Sequence, residues 1–343
     1  KYIDSDGRNQ YYTLILEDTL TSPSDNQLHL ENIRDYCVNL IDYSTVTITY
    51  YLPKFGDVVI SELMPDPDPA QGLEYGEYIE LFNTSLYPIQ LQGTVLSINN
   101  NPLVLPEYLL SPSEYLMISA QGIMNSEAPK EMKAITLPTI PNEEAIIELW
   151  NTENELLHWV DYSIEWHTEN AKKEGGWSLE MKNTSLPCLQ QSNWGSSRNK
   201  EGGTPAKPNS IAHKIPDKKS PMMAEVSPVD SLNLWISFSE PMEGNKIVPN
   251  CFSIENYDGS ITELTWDNSF HESLHLSLSK PLKAGIDYTL TAKLAVQDCE
   301  GNALENQNYP FQLPVWAQNG YCLFNEIHYE PTSGCAEFIE LVN

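Results

Sequence analysis

Residues 61–83 read SELMPDPDPAQGLEYGEYIELFN, and residues 325–343 read NEIHYEPTSGCAEFIELVN. In each, two short apolar runs flank a loop containing Pro and Gly, the pattern of paired β-strands. Placing Glu62 on Glu326 gives an offset of 264 residues, and Glu80 on Glu340 an offset of 260. The four-residue difference falls in the loop, where insertions are tolerated. Two further matches lie just upstream. IRDYCVNL against VQDCEGNAL sets Cys37 on Cys299, and YYTLILEDTL against SLHLSLSKPL sets Leu14 on Leu276, both at an offset of 262. The register holds over roughly the first 80 and the last 80 residues.

A period near 260 residues is too long for a solenoid, so the repeat predicts whole domains alternating along a string, A–B–A–B. The chain then begins and ends inside domains, as expected of a piece cut from a longer array. The other apolar runs, DVVISELM, EYLMIS, AIIELWN and LHLSLS, also have strand length or alternation, and INNNP, SPSE, NTENE and KAG break them. Pro (24) and Gly (17) interrupt any helical period. The expected fold class is all-β. GGTPAKPNSIAHKIPDKKSP, Gly202 to Pro221, reads as a linker.

Hydrophobic residues make up 41% of the 343, a folding composition. The formal net charge of −29 repels a phosphate backbone, which ranks nucleic acid last among partners. No apolar run reaches the roughly 20 residues a membrane-crossing helix needs. The chain opens on Lys1 without a signal peptide, which for a processed piece says nothing about export. Six cysteines without a CxxC spacing fit a few bridges in a large exported protein, or scattered buried thiols.

VVISELMPDPDP, EYGEYIELFNTSLYPIQLQG, LLSPSEYLMIS, GGWSLEMKN, PCLQQSNWGSS and GGTPAKPNSI, in that order, resemble the bacterial lamin tail domain. The likeness covers about residues 56–211 and resumes at Cys322. FSEPMEG and DCEGNAL resemble the bacterial Ig-like domain of surface-layer and other exported proteins. The first copy departs from it, reading DYCVNL with no Gly. The resemblances imply tandem immunoglobulin-like β-sandwiches: half an Ig-like domain over 1–55, a lamin-tail-like domain over 56–211, a complete Ig-like domain over 212–318, and the start of a second lamin-tail-like domain over 319–343. They imply a secreted or surface location in a bacterium and no reaction. The expected role is structural or adhesive, with other surface proteins or glycans as partners. The alternatives are an accessory region of a larger exported hydrolase and a carbohydrate-binding module.

Four constellations carry candidate chemistry. HESLH, His271 to His275, matches the H-E-x-x-H zinc pattern, which requires a helix. Here it runs into alternating Leu274, Leu276 and Leu278, and in a strand the two imidazoles stand about 13 Å apart. Asp66, Asp68, Glu74 and Glu77 place carboxylates on a Pro-stiffened loop that could collect calcium, or that simply lies in solvent. Trp150 and Trp159 are the candidates for an exposed sugar-stacking platform, whereas Trp166, Trp177 and Trp194 fall inside family-like pieces and read as packing. Glu77 and Glu80, three apart on a strand, point to opposite faces and cannot share a substrate; Glu62 is a candidate neighbour of either. Among the cysteines, Cys251–Cys299 and Cys322–Cys335 are the candidate bridges, and Cys188 reads as a buried thiol.

Overall fold

The computed structural model describes residues 2–5, 12–16, 20, 22–34, 37, 39–73, 75–119, 122–125, 137–214, 216–267, 270–293, 295–315, 317–330, 334 and 336–342. The chain divides into two compact units, Lys1–Pro216 and Asp217–Asn343. No helix among the described residues is long and apolar enough to cross a membrane.

In the first unit, β1 (Tyr2–Ser5) pairs with β2 (Tyr12–Ile15), and β3 (Ser24–Arg34) with β4 (Leu40–Tyr50). A sandwich follows. Its strands are β5 (Val58–Met64), β6 (Tyr78–Asn83), β7 (Ile89–Gln90), β8 (Val95–Ile98), β9 (Asn101–Val104), β10 (Leu109–Leu110), β11 (Tyr115–Ser119), β12 (Gly122–Asn125), β13 (Glu144–Trp150), β14 (Leu156–Ser163), β15 (Leu179–Met181) and β16 (Trp194–Ser196). One sheet runs β12-β11-β6-β5-β15-β16, the other β14-β13-β8-β9, and β10 pairs with β7 alone. Between the two large sheets lies an apolar core that includes Ile60, Leu63, Ile79, Leu81, Leu96 and Ile147. The INNNP turn joins β8 to β9 through Asn99 and Asn100, with φ of 46° and 65°. Positive φ at both loop residues suits a two-residue hairpin, and Asn tolerates that region better than most residues.

The second unit is a four-plus-three sandwich. It holds β17 (Met223–Pro228), β18 (Asn233–Phe238), β19 (Phe252–Glu255), β20 (Ile261–Trp266), β21 (Ser273–Leu278), β22 (Asp287–Ala292) and β23 (Asn308–Gln312). The sheets run β17-β18-β21-β20 and β19-β22-β23. Burial alternates cleanly along β18 and β21, whose Leu234, Ile236, Leu274 and Leu276 meet in the core. The unit ends in a separate hairpin, β24 (Leu323–His328) with β25 (Phe338–Val342).

DCEGN closes a turn in this second sandwich. Buried Asp298 accepts from Glu300 N (2.9 Å) and Asn302 N (2.8 Å) through Oδ1, and from Asn302 Nδ2 (2.9 Å) through Oδ2. Gly301 takes the left-handed conformation that the turn needs, with φ of 87°.

Residues 202–211 do not behave as a linker. Gly203, Thr204, Pro205, Ala206, Asn209 and Ile211 are buried, and Asn209 Nδ2 donates to Ser61 O (2.8 Å) and Met181 O (2.9 Å). The segment lies as a strap over the outer face of the six-stranded sheet.

The acidic loop is likewise docked. Gly176 N donates to Asp66 O at 2.7 Å. Gly175, at φ of 99°, lies so close that a Cβ there would come within 1.9 Å of Asp68 O. The pair of glycines in EGGW is thus required for backbone contact with PDPDP. Gly175→Ala combines a backbone clash with a disfavoured φ and is expected to cost about 3 kcal/mol in urea unfolding.

His158, on β14, ties the two sheets together. Its Nδ1 accepts from Ile60 N (3.1 Å) and its Nε2 lies 3.0 Å from Pro187 O, so the ring is neutral with Nε2 donating. Burial pushes its pKa down to about 3. Because the unfolded ring titrates near 6.5, its contribution to stability is complete above that pH and is lost as pH falls toward 3. In a ring-nitrogen NMR titration His158 should remain neutral at pH 4, where an exposed imidazole is already charged.

Candidate functional site

The best-built polar constellation is a trio of glutamates on three adjacent strands. Glu62 on β5, Glu80 on β6 and Glu180 on β15 are all fully buried, and Glu62 stands opposite both Glu80 and Glu180 in the ladders. A β-bulge places them there. Ile60 pairs with Leu81 and Glu62 with Glu80, leaving Ser61 as the extra residue. The bulge lets Ile60 and Leu63, three apart, both enter the inner core while Glu62 joins Tyr78 and Glu80 on the outer face. Next to these, Met64, Tyr78 and Met117 form a small apolar cluster with Leu73 and Tyr75 against it.

All six carboxyl oxygens have partners. Glu62 Oε1 accepts from the hydroxyls of Tyr78 (2.6 Å) and Ser178 (2.6 Å) and from Thr204 N (2.8 Å). Its Oε2 lies 3.0 Å from Thr204 Oγ1. Glu80 takes Ser61 Oγ (2.6 Å) on one oxygen and Ala206 N (2.5 Å) on the other. Glu180 Oε1 lies 3.0 Å from Thr204 Oγ1, and its Oε2 accepts from Ser210 Oγ (2.8 Å) and Ile211 N (3.1 Å). Thr204, Ala206, Ser210 and Ile211 are all strap residues, so the trio grips the strap along its length. Gly203 starts the strap, and a Cβ there would stand 2.6 Å from Glu62 Oε1.

Thr204 Oγ1 has one proton and two carboxyl neighbours, Glu62 and Glu180, so a proton on Glu62 suits this crowding of acceptors. Burial, followed by repulsion from Glu180, raises Glu62 to about 7. Burial, followed by repulsion from Glu62, carries Glu80 well above the carboxylate range. Glu62 and Glu80, both raised, make the cluster a shared-proton clamp, saturated by protein donors. A raised folded pKa means stabilisation complete below the unfolded value near 4.5 and lost as pH rises through about 7. Urea unfolding should therefore show stability falling by roughly 2–3 kcal/mol between pH 5 and pH 9 as Glu62 ionises. Glu62→Gln is expected to flatten that slope.

The other candidate residues are placed as follows. Glu77 precedes β6 and its Oε2 accepts from Ile140 N (3.0 Å), away from Glu80. Asp66 and Asp68 sit in the docked loop, and Glu74 lies outside the described residues. The oxygens of Asp66, Asp68 and Glu77 do not gather within 4.8 Å of one another. Acidic side chains that do converge to that distance are Asp217, Glu240 and Asp298, with Lys219 Nζ 3.6 Å from Glu240. Burial, partly offset by Lys219, raises Glu240.

Trp159 is only 2% exposed, which removes it as a sugar platform. Trp150 is half-buried and bonded to Glu148. Trp166 and Trp194 pack in the core with ring centroids 6.1 Å apart, and Lys172 lies over Trp177 at 4.6 Å. His275 lies on strand β21 with Nε2 2.8 Å from Asp267 Oδ1, while His271 sits at a turn against Trp266.

The cysteine expectations need correction. Cys251 is a buried free thiol whose Sγ is 3.9 Å from Lys246 O, so the Cys251–Cys299 bridge does not form. Cys299 and Cys188 are each disulfide-bonded, so Cys188 is not a lone buried thiol. Cys322 is an exposed free thiol, and its proposed partner Cys335 lies outside the described residues.

Glu180, Ser178, Thr204 and His158 escaped the sequence reading. A repeated acid inside an apolar strand, Glu62 with Glu326 and Glu80 with Glu340, was the available signal.

An all-β chain of antiparallel β-sandwiches is the class these observations define. Residues 53–163 match the Lamin Tail Domain model and residues 217–313 the Bacterial Ig-like domain model. Each unit thus contains a stretch that matches one of these two family models. Strands β15 and β16 and the strap lie beyond the matched lamin-tail range. Among solved structures, the N-terminal part of the bacterial S-layer protein SbsC is 22% identical over 32% of this chain and 26% of that one, with a TM-score of 0.26. SbsC domains 1–6 are 20% identical over 32% and 16%, with a TM-score of 0.27. The match spans about a quarter or less of those chains. No curated protein matches.

Proposed function

We propose that this chain is a non-catalytic structural segment of a secreted or cell-surface bacterial protein, one that spaces and displays binding surfaces toward other surface proteins or glycans. The observation that carries the reading is the tandem of a lamin tail domain and a bacterial Ig-like domain in one acidic chain. Supporting it, the most elaborate polar cluster is spent on closing a domain, with no oxygen left for a substrate. A net charge of −29 keeps such a chain soluble and extended from like-charged surfaces. Burial of Trp159 leaves the carbohydrate-platform alternative without its pair of rings.

Protease shaving of intact producer cells, with mass spectrometry of the released peptides, tests the location. Peptides from residues 53–313 should appear before lysis. Their appearance only after lysis would place the chain inside the cell and refute the reading.

A further inference from the structure

The outer face of the β17-β18-β21-β20 sheet carries a single tryptophan. Along β18, Leu234, Ile236 and Phe238 are buried, whereas Trp235 points the other way, partly exposed and outside the apolar cluster. The ladders set it in a row straight across the sheet, Ser227–Trp235–His275–Thr265. Ser237 follows two residues along β18, and Ser277 lies two residues beyond His275 on β21. With strands about 4.8 Å apart and same-face residues about 7 Å apart, polar groups surround the indole on every side.

The ring is braced. Asp267, just past β20, accepts from Trp235 Nε1 (2.7 Å) and Ser273 Oγ (2.7 Å) through Oδ2, and its Oδ1 lies 2.8 Å from His275 Nε2. The carboxylate stands between the hydroxyl and the imidazole, so His275 is not placed to activate Ser273, and the cluster is no nucleophilic site. Core packing does not call for a brace on the solvent side. Fixing an exposed indole in advance lowers the ordering cost of a ligand that stacks on it.

The surrounding charges and hydroxyls select that ligand. Strands β17, β18, β20 and β21 contain no Lys or Arg, and Glu225 and Glu263 are exposed on the same face, so an anionic ligand is repelled. No apolar side chain stands beside Trp235 in its row, unlike the core of a protein–protein interface. Hydroxyl and imidazole groups can each donate or accept, as a neutral polyol requires. We propose that this face binds a neutral polysaccharide, one hexopyranose ring stacking its C–H face on Trp235 while its hydroxyls bond to Ser237, Ser277, Thr265 and His275. The site gives the display role a glycan partner, resting on that reading for its setting, and uses neither Trp150 nor Trp159.

Affinity electrophoresis of the full chain through gels containing hydroxyethylcellulose, laminarin, xyloglucan or alginate tests the platform. Retardation by at least one of the three neutral polymers, and none by anionic alginate, is expected. Trp235→Ala should raise the Kd read from that retardation by about tenfold or more. Asp267→Ala should raise it roughly threefold, by freeing the ring, and move the Trp235 indole N–H resonance. Asp267→Asn, whose oxygen can still accept from Trp235 and Ser273, should recover most of the affinity. Retardation by none of the neutral polymers overturns the inference, as does binding that survives Trp235→Ala or that favours alginate. Binding in the gel does not depend on where the chain resides, so its failure and a failure of the cell-shaving result are separate outcomes.

Discussion

Three buried carboxyl groups close the first sandwich, and much of its architecture follows from their needs. An unpaired charge at zero exposure is costly, so each acid must be neutralised, hydrogen-bonded, or both. The strap answers with two hydroxyls and three backbone N–H groups, and the wall adds Tyr78, Ser61 and Ser178. Gly203 provides the clearance. Removing the strap would strip the acids of these donors and open the space beside Tyr78 and Leu73, which a Cβ on Gly203 would touch.

That arrangement explains why the sequence was only partly readable. Ile60 and Leu63 obey no simple alternation, and strict period-two reading would put Ser61 inward; the bulge reverses this, and a bulge leaves no compositional mark in VVISELM. Conversely, INNNP and the β18 and β21 alternation were legible because local chemistry alone decides a tight turn or a half-buried strand. GGTPAKPNSI looked like a linker because Pro, Gly, Ser and Asn are also what a close-fitting strap requires. Its burial depends on partners some 140 residues away, as in the Thr204–Glu62 bond. The fold class thus came from local pattern, whereas the acid cluster and the cysteine pairing came from long-range geometry.

The repeat gains physical content from the same cluster. Two hairpins separated by more than 250 residues share a bulge, a register and an acid pair. The intervening Ig-like sandwich holds its own turn at Asp298 and buries the alternating faces of β18 and β21.

The central claim is that Glu62 and Glu80 hold protons at a pH where ordinary glutamates are ionised. Carbon-13 NMR of the side-chain carboxyls, followed from pH 4 to pH 9, tests it most directly. Two glutamate signals, lost in Glu62→Gln and Glu80→Gln respectively, should keep the shift of the protonated acid at pH 6, with Glu62 titrating near 7. If every glutamate signal had moved to the carboxylate position by pH 6, the shared-proton clamp would be wrong, and the strap would have to be held by three full charges.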